Sequence, residues 1–172
     1  VSTLEPRKCQ QQILEAVELL WDHGSDINLV FVGREGWKTE ALIKRIRTHP
    51  EVSTRLFWLQ SVSDEYLQKI YTACSCLISA SLNEGFGLSL IEAAQHSIPI
   101  IARDIPVFRE VAGEHAEYFV GESAEELSKT LETWLERYRE GTHTTSSGMR
   151  YSLWKESAER LKRTLLSSNC PR

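Results

Sequence analysis

The 172-residue chain is short of the features that mark several large protein classes. It has no long apolar run. Stretches such as Ile98 to Ala102 fall far below the ~20 apolar residues that a bilayer-spanning helix requires. It has no excess of positive charge. Its 20 Lys and Arg against 24 Asp and Glu give a net charge of -4 and a pI near 5.8, so the bulk footprint of a nucleic-acid binder is missing. Cysteine is sparse. Cys9, Cys74, Cys76 and Cys170 form neither paired C-x-x-C units nor a dense disulfide framework. Cys74 and Cys76 sit at a helix–strand junction, poorly placed to bridge each other, and a reducing cytoplasmic compartment is expected. The five histidines are scattered with no H-E-x-x-H pair, so no metal site is expected. No secretory signal or transit peptide is visible. The chain opens at Val1 on what reads as the tail of a strand, and residues 1–172 are expected to be one domain of a longer protein.

What is present reads as a folded domain. Hydrophobic content of 41% and charged content of 26% are ordinary for a soluble globular chain, and the length suits one core. Helix-spaced Ile13, Ala16, Val17 and Leu20 predict a helix over 9–23, closed by Gly24 as a left-handed cap. The run Asn28 to Val32, ending at Gly33, predicts a strand covered on both faces. The alternation then repeats: helix 37–48, strand 55–59, helix 63–74, strand 76–80, helix 88–96, strand 99–102, helix 105–111 and strand 116–120. Long amphipathic helices follow over 122–138 and 152–167, separated by the linker-like stretch 141–148. Alternation without tandem hairpins predicts an α/β fold, a doubly wound parallel sheet of Rossmann-like type. Ligands then bind outside the C-terminal strand edges.

One segment carries chemistry: Ser79 to Ala94, which leaves a strand and opens a helix. Gly85 and Gly87 remove side chains at the turn, so bare amides face outward. The helix beginning near Leu88 adds unpaired N–H groups and the positive end of its dipole. Together they suit a phosphate. Glu84 precedes this turn, and Glu92 lies just over one helical turn inside it. Carboxylates repel a phosphate, so their use here would be to accept hydrogen bonds from sugar hydroxyls. On spacing alone, a solvated loop acid and an ordinary helix-surface glutamate fit as well.

A second cluster, Glu5-Pro6-Arg7-Lys8, occupies the first strand-to-helix turn. In a doubly wound sheet this turn shares an edge with the Gly85–Gly87 loop, and two cations there would neutralise a diphosphate leaving group. Lys8 is the stronger candidate, since Arg7 alone is also an ordinary charged helix start. Other motifs fail. Leu90 stands where a dinucleotide fingerprint needs its third glycine, Gly33 to Lys38 has the wrong spacing for a Walker loop, and Ser89 is in no G-x-S-x-G elbow.

Taken together, Glu84-Gly85-Phe86-Gly87-Leu88 and Glu92, seven intervening residues on, resemble the hallmark of the group 1 retaining glycosyltransferases. The likeness extends through Thr3 to Lys8, Val62 to Leu67, Ile70-Tyr71, Ile98 to Asp104, Pro106, Glu110 to Gly113 and Trp154 to Ala158, which is essentially the whole chain. It implies the C-terminal, donor-binding half of a two-domain GT-B enzyme whose absent N-terminal half supplies most of the site for a glycan or lipid-linked acceptor. By resemblance, Glu84 would contact donor-sugar hydroxyls and Glu92 the ribose. Lys8 and the backbone of Phe86, Gly87, Leu88 and Ser89 would hold the diphosphate. Gly33, Arg34, Val62 and Asp64 would border the base and phosphate. Transfer would retain anomeric configuration and need no metal or other cofactor. The wording of the motifs is similar to bacterial O-antigen mannosyltransferases, which implies GDP-mannose as donor. A UDP-sugar transferase of the same fold and a noncatalytic scaffold are the alternatives, and membrane association of the parent remains compatible with the sequence. Ser2 stands where many relatives carry Arg, Cys9 where Gly or Asn is usual, Ser89 where Pro is frequent, and Gln95-His96-Ser97 replaces a common glycine turn.

Overall fold

The computed structural model describes residues 1–152 and 154–167. Its element order is α1 (Gln10–Asp22), β1 (Leu29–Val32), α2 (Glu40–Arg47), β2 (Leu56–Leu59), α3 (Asp64–Ala73), β3 (Leu77–Ser79), α4 (Leu88–Gln95), β4 (Ile100–Arg103), α5 (Pro106–Ala112), β5 (Glu117–Phe119), α6 (Ala124–Glu140) and α7 (Trp154–Ser167). The short turn Pro6–Lys8 is a 3-10 helix. All strand pairs are parallel. β1 lies beside β2 with Leu29 opposite Leu56, and β3, β4 and β5 form a second ladder with Leu77 opposite Ile100 and Ile101 opposite Glu117.

The two ladders meet the N-terminal segment. Val1–Leu4, expected as a strand end, is an extended stretch hydrogen-bonded to the end of β1 without forming a named strand. Ser2 N donates to Val32 O at 2.8 Å and Leu4 N to Arg34 O at 2.9 Å. Further along, Leu82 N, beyond β3, donates to Arg7 O at 2.9 Å. The segment therefore touches both ladders.

Strand residues alternate between two apolar layers, as a doubly wound sheet requires. Ile101 and Phe119 pack with Leu14, Val17 and Leu20 of α1, Ile46 of α2 and Leu127 and Trp134 of α6. Ile100 and Ala102 face the other way, onto Tyr71 of α3, Leu90 and Ala93 of α4 and Phe108 of α5. Capping follows local chemistry. Ser63 accepts from Tyr66 N at the start of α3, and Ser123 with Glu126 forms a capping box on α6. Cys9 sits at φ 53°, in the left-handed region that favours Gly or Asn, which accounts for the usual residues at this position.

Two expectations need correcting. The helix expected from residue 37 starts only at Glu40, because the preceding loop hugs the N-terminal segment. A Cβ on Gly36 would lie 2.2 Å from the Leu4 carbonyl, and Lys38 still has φ 52°. The linker-like stretch 141–148 is no free linker, since Ser146 is buried, Thr144 bonds Glu117 and Met149 closes onto the α4–α5 layer. For the apolar face of α7 the sequence leaves two packings equally open, on this core or across another domain, and in the structure Leu161 and Leu165 are 60% and 67% exposed. Leu153 and the Trp154 side chain lie outside the described residues, as does Cys170.

Beneath the C-terminal strand edges lies Arg103, 5% exposed. Its Nε donates to Ala80 O at 2.9 Å, its terminal nitrogens donate to Gly121 O and Gln12 Oε1, and its guanidinium lies over the Phe119 ring. One side chain thus ties the ends of β3, β4 and β5 to α1. Arg103→Met would leave those acceptors without a donor, each such loss costing ~1–3 kcal/mol. A stability loss of about 3 kcal/mol or more, read by denaturant unfolding, is the expected outcome.

Candidate functional site

The site is built where β3 ends. Ala80 and Ser81 are buried, the chain then surfaces through Leu82 and Asn83, and Gly87 returns it to the interior at φ 84°. Gly87 is required by the fold, because the left-handed backbone is unfavourable for other residues and an added Cβ would press on Phe108 at 3.2 Å. Gly85 is different. Its φ is ordinary and an added Cβ would meet nothing within 4 Å, so the backbone itself does not demand a glycine there. α4 starts at Leu88 with no side-chain cap, which leaves its first amides pointing outward with the dipole behind them.

The structure brings Glu84, Lys8 and Arg7 together from positions as far as 77 residues apart. Lys8 Nζ and Ser81 Oγ both donate to Glu84 Oε1, the latter at 2.8 Å. Arg7 Nη1 lies 3.4 Å from Glu84 Oε2 and donates to Asn83 O at 3.2 Å, while its Nε pairs with Glu5. Lys8 is the inner cation at 17% side-chain exposure, and Arg7 the outer at 45%. Burial disfavours the charge on Glu84, but the hydrogen bonds from Lys8 and Ser81 and the two nearby cations outweigh it. Its carboxyl is held below the ordinary glutamate value. Burial pushes the thiols of Cys9, Cys74 and Cys76 up, which makes them poor nucleophiles.

A cavity of about 740 Å³ opens at Lys8, Tyr71, Glu84 and Ser89 and runs back between β1 and β3. Glu92 stands beside it, its Oε2 accepting from Tyr71 Oη at 2.8 Å. A second cavity of about 350 Å³ gathers Gly33, Arg34 and Val62 at the ends of β1 and β2, and Val1 and Ser2 line both. Gly33, at φ 142°, is obligatory, since a Cβ would strike the Ser2 carbonyl. Asp64 lies in the first turn of α3, exposed and outside both cavities. Phe86 and Leu88 expose their side chains and offer the site only main chain. Among the described residues no group of three His, Cys, Asp or Glu is placed to hold a metal ion. No described helix is long and apolar enough to cross a membrane.

Sequence reasoning gave no role to Ser81, Tyr71 or Arg103. Ser81 stands three residues before Glu84, a spacing that allows a hydroxyl to brace a loop acid. The Tyr71–Glu92 pair left no local signal.

The family model for glycosyl transferases group 1 matches residues 1–148. The chain belongs to this family. It is 48% identical over 165 residues to the serotype-specific mannosyltransferase WbdA of Escherichia coli, a match covering 96% of this chain and 20% of that protein. The O-antigen chain mannosyltransferase B of E. coli is 30% identical over 118 residues, covering 66% of this chain and 30% of its own length. The chain thus spans a minor part of these relatives. Among solved structures, Anabaena HepE in complex with UDP and glucose superposes with a TM-score of 0.77 at 18% identity, over 96% of this chain and 46% of that one. The C-terminal domain of the group 1 protein LpcC from Francisella tularensis gives 0.70 at 17%, over 83% and 77%. These likenesses give the group 1 glycosyl transferase domain its α/β fold, the parallel-stranded unit of GT-B transferases.

Two predictions separate structure from site in this group 1 domain. Gly87→Ala should lower stability by ~1 kcal/mol or more, whereas Gly85→Ala should melt within ~0.5 kcal/mol of the unsubstituted chain, both read by thermal denaturation. The second concerns pH. Because the folded-state value of Glu84 lies below its unfolded value, its stabilisation is complete above the ordinary glutamate value of 4.5. It disappears as pH falls through the lower folded value. Urea unfolding across acid pH should show the advantage over Glu84→Gln shrinking in that window.

Proposed function

We propose that this domain holds a nucleotide sugar and serves as the donor half of a retaining glycosyltransferase. In the longer protein it would move a mannose from GDP-mannose to a glycan or lipid-linked acceptor in cell-surface polysaccharide synthesis. The observation that carries the reading is Glu84, clamped by Lys8, Arg7 and Ser81 beside the uncapped mouth of α4. Anion-binding amides, two cations and a fixed carboxylate meet at one opening. A diphosphate needs the first two and a sugar hydroxyl the third.

In this reading the diphosphate lies on the main chain of Gly85, Phe86, Gly87, Leu88 and Ser89, and Lys8 turns part of its charge from Glu84 to the phosphate. Glu84 accepts from hydroxyls of the donor sugar, Glu92 from those of the ribose, and Gly33, Arg34 and Val62 border the base and phosphate. Asp64 would reach the nucleotide only at its rim. As the glycosidic bond breaks, Lys8 and Arg7 meet the charge growing on the leaving diphosphate, whose oxygen takes the proton of the attacking acceptor hydroxyl. No protein nucleophile, metal or redox cofactor enters these steps. Mannose is favoured by the mannosyltransferase names of relatives at 48% and 30% identity. The rest of the protein would supply most of the acceptor site, and transfer would take place in the cytoplasm, with peripheral association at the inner face of a membrane compatible with it.

Calorimetric titration with GDP, GDP-mannose and UDP-glucose tests this directly. GDP and GDP-mannose should bind, and Lys8→Ala should weaken both by about tenfold or more, as loss of a charged hydrogen bond implies. Glu84→Gln should leave GDP largely unaffected and remove the extra affinity contributed by mannose. Tighter binding of UDP-glucose would move the donor to a UDP-sugar. No nucleotide binding at millimolar concentration would leave a scaffold module as the surviving reading. The isolated chain should transfer no sugar.

A further inference from the structure

Glu92 is the proposed ligand carboxylate on α4, apart from the Lys8–Arg7 clamp. It projects from the second turn of α4, half-buried, and a carboxylate on a helix surface can occupy several rotamers. Tyr71 of α3 limits it. The phenol donates to Glu92 Oε2 at 2.8 Å, and the Tyr71 side chain is 4% exposed. Its ring is stacked on His96, which follows α4, with centroids 5.3 Å apart and planes 10° apart. The hydroxyl's position is thus set by burial of the residue and by the stack of its ring on His96, and the carboxylate's by the hydroxyl. Tyr71 also lines the cavity that opens at Lys8 and Glu84.

From this arrangement we infer that Tyr71 is a positioning residue. It occupies Glu92 Oε2 so that Oε1 stands free to accept from the vicinal hydroxyls of a nucleotide ribose, and His96 holds Tyr71 in place. The inference rests on the assignment of Glu92 to the ribose made above. A carboxylate has acceptor sites on both oxygens, so fixing one oxygen aims the other without consuming it. Burial, and then the hydrogen bond and charge of Glu92, push the phenol well above its ordinary value, so it remains a donor at any working pH. The plainer role of Tyr71, a buried hydroxyl finding an acceptor, would stabilise the fold but would not make ribose recognition depend on it.

The experiment compares GDP with 2′,3′-dideoxy-GDP by calorimetry on the full chain and on Tyr71→Phe, Glu92→Gln and the double variant. GDP should bind more tightly than the dideoxy form, and Glu92→Gln should abolish the difference. Tyr71→Phe should reduce the discrimination roughly three- to tenfold, the range of an ordinary lost hydrogen bond, since the tyrosine acts on the ribose only through Glu92. Affinity for the dideoxy nucleotide should not change, and the double variant should behave as Glu92→Gln. If Glu92→Gln removes discrimination and Tyr71→Phe keeps it in full, the positioning role fails while the ribose assignment stands. If Glu92→Gln itself leaves discrimination intact, the ribose assignment falls and takes the inference with it. Should Tyr71→Phe not fold, His96→Leu carries the same comparison. A stable His96→Leu with undiminished discrimination would overturn the inference.

Discussion

The site depends on one juxtaposition, the meeting of the Pro6–Lys8 turn with the loop that leaves β3. The main chains join where Leu82 N donates to the Arg7 carbonyl at 2.9 Å, and the side chains join where Lys8 and Arg7 close on Glu84. Neither loop could hold this shape alone. The first is a single 3-10 turn, and the second turns on Gly87, whose left-handed backbone lies so close to Phe108 that a Cβ would come within 3.2 Å of the ring. Arg103 supplies the floor, binding the ends of β3 and β5 to α1 just below. A buried guanidinium is a costly device for a job that apolar side chains often do as well. Here it bonds carbonyls at strand ends, where no ladder partner is available, and so fixes the edge from which the loops spring.

That juxtaposition resolves an apparent conflict in the sequence. A glutamate beside an anion-binding helix mouth would repel a phosphate. The structure shows the charge already matched, with Lys8 and Ser81 on one carboxylate oxygen and Arg7 near the other. The opening therefore holds cations and a carboxylate in a balanced set, and under the proposed function an arriving diphosphate would redistribute contacts instead of meeting bare charge. Such a set is organised before the ligand arrives, which is the condition under which fixed charges are most effective in stabilising a developing one.

Much of this was legible beforehand. Periodicity located the helices and buried strands, and the acid–glycine–aromatic–glycine run located the turn that leads from β3 into the uncapped start of α4. What it could not supply was anything set by distant backbone. α2 begins at Glu40 because the loop before it must clear the Leu4 carbonyl, and no local propensity records that obstacle. The Ser- and Thr-rich stretch 141–148 reads as solvent-loving by composition, yet Ser146 is buried and Met149 is drawn onto the α4–α5 layer. Asp64 follows the family motif in order but faces solvent outside both cavities, since a helix start fixes a residue's turn and not its reach. The Tyr71–Glu92 bond was hidden for a related reason. Helical spacing says which face of α3 is buried but not which acid its hydroxyl will meet across the interface.

The distribution of main-chain and side-chain contacts also bears on donor choice. Gly85 to Ser89 would offer a diphosphate mainly backbone amides, and amides cannot distinguish one sugar nucleotide from another. Choice among donors has to come from groups that touch what differs between them. Under the proposed function those would be the side chains around Gly33, Arg34 and Val62 for the base, and Glu84 for the sugar. Under the proposed function Glu92 would meet a ribose that nucleotide-sugar donors share, so its placement by Tyr71 would bear on how tightly a ribonucleotide is held and not on which one. Affinity and selectivity would then be divided within one opening, with the α3–α4 interface serving the first and the ends of β1 and β2, together with Glu84, the second.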